Sequence, residues 1–279
     1  MNGNPGRMAR WITCLVALVA GAVPAAGRVG DAGWVTVWTT SPYAATGSFS
    51  DQTLRLIVAP HGAGSTLRVR LTNRYAPSPV TLAEVSVGTP ADGAALVRGT
   101  NRQVLFGGGR SVTIPAGGTV VSDPVRLDVR PFTDLAVSIR IDGTTGPAPI
   151  HLLTSQTSYL TPSGSSARGD EEDGGAYTIA TQSSYFLSAI DVRAGRTEGA
   201  IGILGDSITD GIASTPDTDR RWPDVLQRRL LAEPRLARLA VLNAGISGNQ
   251  VTRDHPAFGI AAVDRIDADL LDLAGLRAV

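Results

Sequence analysis

The sequence contains no lysine: its 25 basic residues are all arginine, matched by 25 acidic ones for a formal net charge of zero. So balanced a chain has no long-range field to gather nucleic acid or an anionic membrane surface, and its arginines form no basic block. Cysteine is nearly absent. The single thiol, Cys14, lies in the N-terminal apolar run, so a product without that run has no disulfide and no cysteine-based metal site. The three histidines, His61, His151 and His255, show no metal-ligand spacing, and no stretch has the lysine of a P-loop or the G-x-G-x-x-G of a dinucleotide site. No cofactor or metal is expected. Aromatic residues make up 5% of the chain. They fall in strand-like runs such as "WVTVW", where core packing is the better expectation than a platform for sugar stacking.

Among what is present, the N-terminus reads as a secretory leader. Arg7 and Arg10 precede the apolar run Trp11–Val23, and small residues suited to cleavage follow at 23–27. The run is shorter than the roughly 20 residues of a membrane span. Export after removal of residues 1–26 is the expectation, with no stable membrane anchor.

From about Trp34 to Val192 short runs alternate with turn residues. Leu67, Val69 and Leu71 recur at every second position against Arg68 and Arg70, the period of a strand, and Gly, Pro, Asn and Asp punctuate the runs. Many such strands predict an antiparallel sandwich of jelly-roll type. "TPSGSSARGDEEDGGAY" predicts a long exposed loop within it. After Gly199 the rhythm changes. "AIGILG" and "LAVLNAG" read as strands covered on both faces. "RRWPDVLQRRLL" places Trp222, Val225, Leu226 and Leu230 at helical spacing, and "GIAAVDRIDADLLDL" does the same for Val263, Ile266, Leu270 and Leu273. Strand, helix, strand, helix predicts a parallel α/β sheet, and "GLRAV" reads as the start of its third strand. The expected organisation is two-domain: a leader at 1–26, a β-sandwich over 27–195, and over 196–279 an incomplete three-layer α/β/α unit.

Chemistry concentrates in "GAIGILGDSITDG", residues 199–211. A buried strand there breaks into a polar, glycine-flanked turn bearing Ser207. At the carboxyl end of a parallel strand such a turn meets a helix N-terminus, whose free N–H groups stabilise negative charge. A serine so placed can attack with its Oγ and donate its own N–H to the developing oxyanion. Asp206 is expected to bond the loop backbone. A helix-capping serine is the bland alternative.

The neighbouring strand ends in a second glycine turn, "NAGISGN". Together "GDSITDG" and "NAGISGN" resemble the first two motif blocks of the SGNH, or GDSL, hydrolase superfamily of esterases, lipases and deacetylases. The resemblance covers about Ala200 to Val279, and "YFLSAIDV" gives a softer likeness to secreted bacterial members with an N-terminal β domain. It implies a flavodoxin-like α/β/α fold, Ser207 as nucleophile, Gly248 as a second oxyanion N–H donor, Asn249 as a supporting residue, and an ester substrate, be it a lipid, an acylated sugar or a polymer. The family's later blocks, Gly-x-Asn-Asp and Asp-x-x-His, do not occur, so the chain is expected to be a C-terminally truncated and nearly inactive esterase. His255, with Asp254 or Asp264 as partner, is a less favoured substitute base. His61 is expected as an exposed turn residue and His151 as a satisfied, partly buried one. The competing reading is a non-catalytic sandwich that binds carbohydrate or polymer and carries a vestigial hydrolase tail.

Overall fold

The computed structural model describes residues 31–165 and 170–279; the expected leader, with Cys14, lies outside them. The period-two runs form strands. The main ones are β1 (Trp34–Thr39), β2 (Ser50–Val58), β3 (Gly64–Thr72), β4 (Leu135–Thr144) and β5 (Leu187–Arg193). One antiparallel sheet runs β1, β5, β3 and Val125–Val129, with Thr119–Val121 also paired to β3. A second runs Ile179–Thr181, Ser158–Leu160, β2, β4, Glu84–Gly88 and Arg102–Val104. Leu67, Val69 and Leu71 of the first sheet join Leu54, Leu56, Val137 and Ile139 of the second in one buried cluster, the packing of a sandwich.

The chain from residue 199 adds β6 (Gly199–Gly205), α1 (Ser207–Asp210), α2 (Trp222–Ala232), β7 (Leu239–Gly245), α3 (Ala262–Ile266) and β8 (Leu276–Ala278). These three strands are parallel in the order β7, β6, β8, and β6 pairs with β7 in register from Gly199 opposite Leu239 to Gly205 opposite Gly245. The hydrophobic cluster continues without a break from the sandwich to Ala200, Ala240, Leu242 and Leu270 of this part.

That continuity explains why the alternation of β3 does not leave one face wet. Arg68 and Arg70 are buried. Their Nε atoms both donate to Asp191 Oδ2, at 2.8 and 2.7 Å, and both pair with Asp31. Thr36 Oγ1 donates to the other Asp191 oxygen at 2.7 Å. Two cations against two anions leave no net charge in a region closed off by the 273–275 turn, where the Thr36 amide donates to Ala274 O (2.8 Å) and the Ala274 amide to Thr36 Oγ1 (3.1 Å).

Several expectations are corrected by what packs where. Helix α2 does not bury Trp222 and Val225, which are 41% and 39% exposed; it buries Asp224 and Gln227 completely. β7 is an edge strand, and its free backbone groups need partners. Gln227 supplies them: its Nε2 donates to Leu239 O (3.1 Å) and its Oε1 accepts from the Val241 amide (2.7 Å). His61 completes this edge. It is 4% exposed rather than open to solvent, and its Nδ1 lies 2.8 Å from Val241 O. Its Nε2 lies 3.2 Å from Asp224 Oδ1, a close polar contact not aligned as a hydrogen bond. In the second helical stretch α3 passes into one turn of π-helix, Asp267–Leu271. The expected stripe is broken: Leu270 and Leu273 are buried, Val263 is 53% exposed, and Arg265 and Asp269 turn inward. The 161–177 segment is, as expected, a mostly exposed loop where it is described, anchored by Glu171 O, which accepts from the fully buried Arg55 (2.6 Å), and by Tyr177 under that guanidinium.

Candidate active site

The β6 strand ends at Gly205, and the chain turns into α1 through Asp206. The Asp206 carboxylate accepts from the Ile208 amide at 3.0 Å, the bond of a helix N-cap. Ser207 is therefore the first helical residue, at the carboxyl end of the middle strand of the parallel sheet. It is half-buried, and among the described residues its Oγ has no hydrogen-bond partner. The β7 strand ends opposite, at Gly245, and leads into the Ile246–Asn249 turn, closed by the Asn249 amide on Ile246 O at 3.0 Å. Gly248 sits in that turn at φ +78°, and a Cβ there would fall 2.4 Å from the Phe258 ring, so glycine is required on two counts. Gly245 is required by closeness alone: a Cβ would lie 2.3 Å from the Asp210 amide.

Two buried ionic groups tie these turns together. Asp210 closes α1. One carboxylate oxygen accepts from both the amide (2.9 Å) and the hydroxyl (2.7 Å) of Ser247, and the other lies 3.0 Å from His151 Nε2. Burial pushes the Asp210 carboxyl up, but the charge and hydrogen bond of His151, with the Ser247 contacts, outweigh it and hold the group below its ordinary value. His151 is buried as well, with Nδ1 2.8 Å from Ser41 O and Nε2 also 3.1 Å from Leu153 O. Ser41 O, Leu153 O and the Asp210 carboxylate face its ring nitrogens, an arrangement that favours the doubly protonated ring. Burial opposes that charge, yet Asp210 and the two carbonyls raise the pKa.

The second tie is Arg265, a fully buried guanidinium beneath the strand ends. It donates to Gly205 O (3.0 Å), Ala244 O (2.8 Å), Asn249 Oδ1 (2.9 Å) and Asp269 Oδ2 (2.7 Å). Asp269 in turn pairs with Arg74 of the sandwich at 2.7 Å. Asn249 spends its amide nitrogen on Phe258 O (3.0 Å) and Ile260 O (2.8 Å). It is a loop brace.

The structure thus brings Ser207 and Gly248 onto adjacent turns at one edge of the sheet, braced from below by Asp206 and Asn249. It gives His255 a different occupation. Its Nδ1 accepts from the Ala257 amide at 3.1 Å and its ring stacks on Phe258, while Asp254 caps the Ala261 amide at 2.8 Å. Among the described residues no imidazole bonds Ser207. Two cavities among the described residues, of about 250 and 560 Å³, do not include Ser207 or Gly248 in their walls. The larger is lined by Asp134, Asp217 and Asp219, and there burial and the two neighbouring carboxylates push Asp134 up to about 6.

His151 is satisfied as expected and is buried, but its pairing with Asp210 was not foreseen, nor were the parts of Asp210, Ser247 and Arg265. Asp210, three residues after the serine on so short a helix, was the one detectable signal, since such spacing points it back under the turn. His151 comes from 59 residues away, and no local pattern announces it.

Residues 203–275 match the model of the GDSL-like Lipase/Acylhydrolase family. The match covers about a quarter of the chain, contains both site turns, and supports the SGNH/GDSL resemblance. No curated protein matches the chain.

Proposed function

We propose that this chain, whose residues 203–275 carry the GDSL-like lipase/acylhydrolase signature, is part of an exported serine ester hydrolase acting through an acyl-enzyme. The observation that carries the reading is the Ser207 hydroxyl, without a hydrogen-bond partner among the described residues, at a helix N-terminus beside the glycine turn of Gly248. The leader-like N-terminus supports export. The strand order β7, β6, β8, with the first strand in the middle, is how a flavodoxin-like sheet begins, and such sheets bind ligands where these turns lie.

In this reading Ser207 Oγ attacks the ester carbonyl. The carbonyl oxygen becomes an oxyanion, met by the N–H groups of Ser207 and Gly248 in a setting where one such donor is worth a factor of about 10²–10³ in rate. The alcohol departs, leaving an acyl-serine, and water then releases the acid. Both steps need a base, and His151 is committed elsewhere: its two nitrogens serve Ser41, Leu153 and Asp210. Loss of a triad histidine costs about 10⁶ in kcat in well-studied proteases. These 279 residues should accordingly acylate slowly with an activated ester and barely deacylate.

Incubation with p-nitrophenyl acetate, followed by mass spectrometry of the digested protein, tests this. The expected result is an acetyl group that accumulates on the peptide bearing Ser207 and is lost in Ser207→Ala. Equal labelling of the mutant refutes the reading. The binding-module alternative gains no support from the aromatic residues of β1, because Trp34 and Trp38 are only 6% and 8% exposed and offer no face to a sugar.

A further inference from the structure

We infer that His151, contributed by the β-sandwich, is a positioning residue of the Ser207 site: through Asp210 it fixes the Ser247–Gly248 turn that presents the oxyanion donor. This rests on the esterase reading and names a part of the site that lies in the other half of the chain.

The geometry is a three-member relay. His151 ends the Ala148–His151 strand, which pairs with Ser184–Tyr185 and Ala44–Thr46 of the sandwich. Its imidazolium meets one oxygen of Asp210 at 3.0 Å, and the opposite oxygen accepts both Ser247 bonds. Ser247 is the immediate neighbour of Gly248, so the bond that holds the Ser247 amide sets the direction of the next peptide. Asp210 is also the last residue of α1, whose first is Ser207. One carboxylate therefore controls the nucleophile's helix and the donor's turn together, and its orientation is fixed by a cation from outside the parallel sheet. A carboxylate with one oxygen unpaired in a buried site would rotate or take up a proton, and either change weakens its hold on Ser247.

Other ionisable groups packed on the pair are few. Tyr43 feels the Asp210 charge, Tyr185 stands opposite Ile150 in the sheet, and Arg221 lines the same small cavity while held by Asp224. Burial and the Asp210 charge raise the Tyr43 phenol above its ordinary value, and the Arg221 guanidinium is occupied by Asp224. His151 is the imidazole of this cluster, the side-chain type whose ordinary pKa lies nearest neutrality.

The test is nitrogen-15 NMR and amide exchange on the full chain. In wild type, the imidazole nitrogens of His151 should show a doubly protonated ring at pH 7, and the Ser247 amide resonance should move with the ring's titration. His151→Gln should speed Ser247 exchange about tenfold to a hundredfold, the factor carried by one hydrogen bond to a charged group, while the Ile139 amide in the sandwich core stays protected. Ser247 exchange unchanged within about twofold in a folded variant overturns the inference, as does a wild-type Ser247 resonance that ignores the ring. If the variant does not fold, the wild-type titration decides alone. Acetylation of Ser207, measured on the same samples, separates the two claims. Coupling without any acetylation refutes the esterase reading and the positioning role with it, whereas acetylation without coupling overturns the inference alone.

Discussion

At the scale of single residues, the site is decided by where polar atoms find partners. Among the described residues Ser207 Oγ is left without one, and Arg265 has four acceptors beneath the strand ends. Arg265→Leu would strand two strand-end carbonyls, the Asn249 Oδ1 and one oxygen of Asp269, whose other oxygen keeps Arg74. Breaking a buried ion pair from one side costs about 3–5 kcal/mol, so we expect a loss of that size in urea denaturation, or separate melting of the parallel sheet. A change below about 1 kcal/mol would show that the guanidinium is not the brace. Gly248→Ala forces a side chain into the left-handed region at about 1–2 kcal/mol and against Phe258. Its effect should fall on ligand binding at Ser207 more than on the melting temperature. The turns that carry Ser207 and Asp206 were visible as local patterns after an apolar run, while Gly248 and Asn249 were singled out through the family resemblance. The parts of His151 and Arg265 could not be read: their partners are brought to them by the fold.

At the scale of elements, the sandwich strands were readable from period two, and the parallel strands from their short continuous apolar runs. The helices were misread for a physical reason. Apolar periodicity presumes that a helix buries its greasy face, but α2 covers the open edge of β7, where backbone groups ask for an amide side chain. Gln227 answers with both ends. Gln227→Leu looks conservative by hydrophobicity and should nevertheless destabilise by about 2 kcal/mol or more, because the Val241 N–H and Leu239 C=O would be left unpaired. Chemical denaturation of the variant checks this, and a neutral or stabilising result would mean that water replaces the glutamine. The π-turn Asp267–Leu271 was equally invisible, since a wider turn shifts the phase between α3 and the leucines that follow without leaving a local mark in the sequence.

At the scale of the whole molecule, the two halves of the chain are joined by a continuous core and by buried charges, with His151 on Asp210, His61 beside Asp224 and Arg74 on Asp269. Stability should depend on pH accordingly. His151 has a folded pKa raised above its ordinary 6.5, so its contribution is complete below that value and is lost as pH rises through the raised one. Asp210, and Asp224 at about 2, are lowered from 3.8. Their contributions are present above 3.8 and are lost as pH falls through the lowered values. Asp134 acts oppositely: raised from 3.8 to about 6, it withdraws stability as pH climbs between those values. Thermal melts should therefore show an alkaline loss above about pH 6.5 that His151→Gln removes. An alkaline limb of the same size in the variant would assign it to another group.

The central claim is that the amides of Ser207 and Gly248 face one tetrahedral adduct on the Ser207 oxygen. Titration with a boronic acid, which forms such an adduct reversibly, followed by nitrogen-15 NMR, tests it most directly. The account predicts that the Ser207 and Gly248 amide resonances shift together with one binding curve, and that Ser207→Ala abolishes both shifts. Boronate bound to Ser207 with Gly248 unmoved, or shifts that persist in Ser207→Ala, would contradict it.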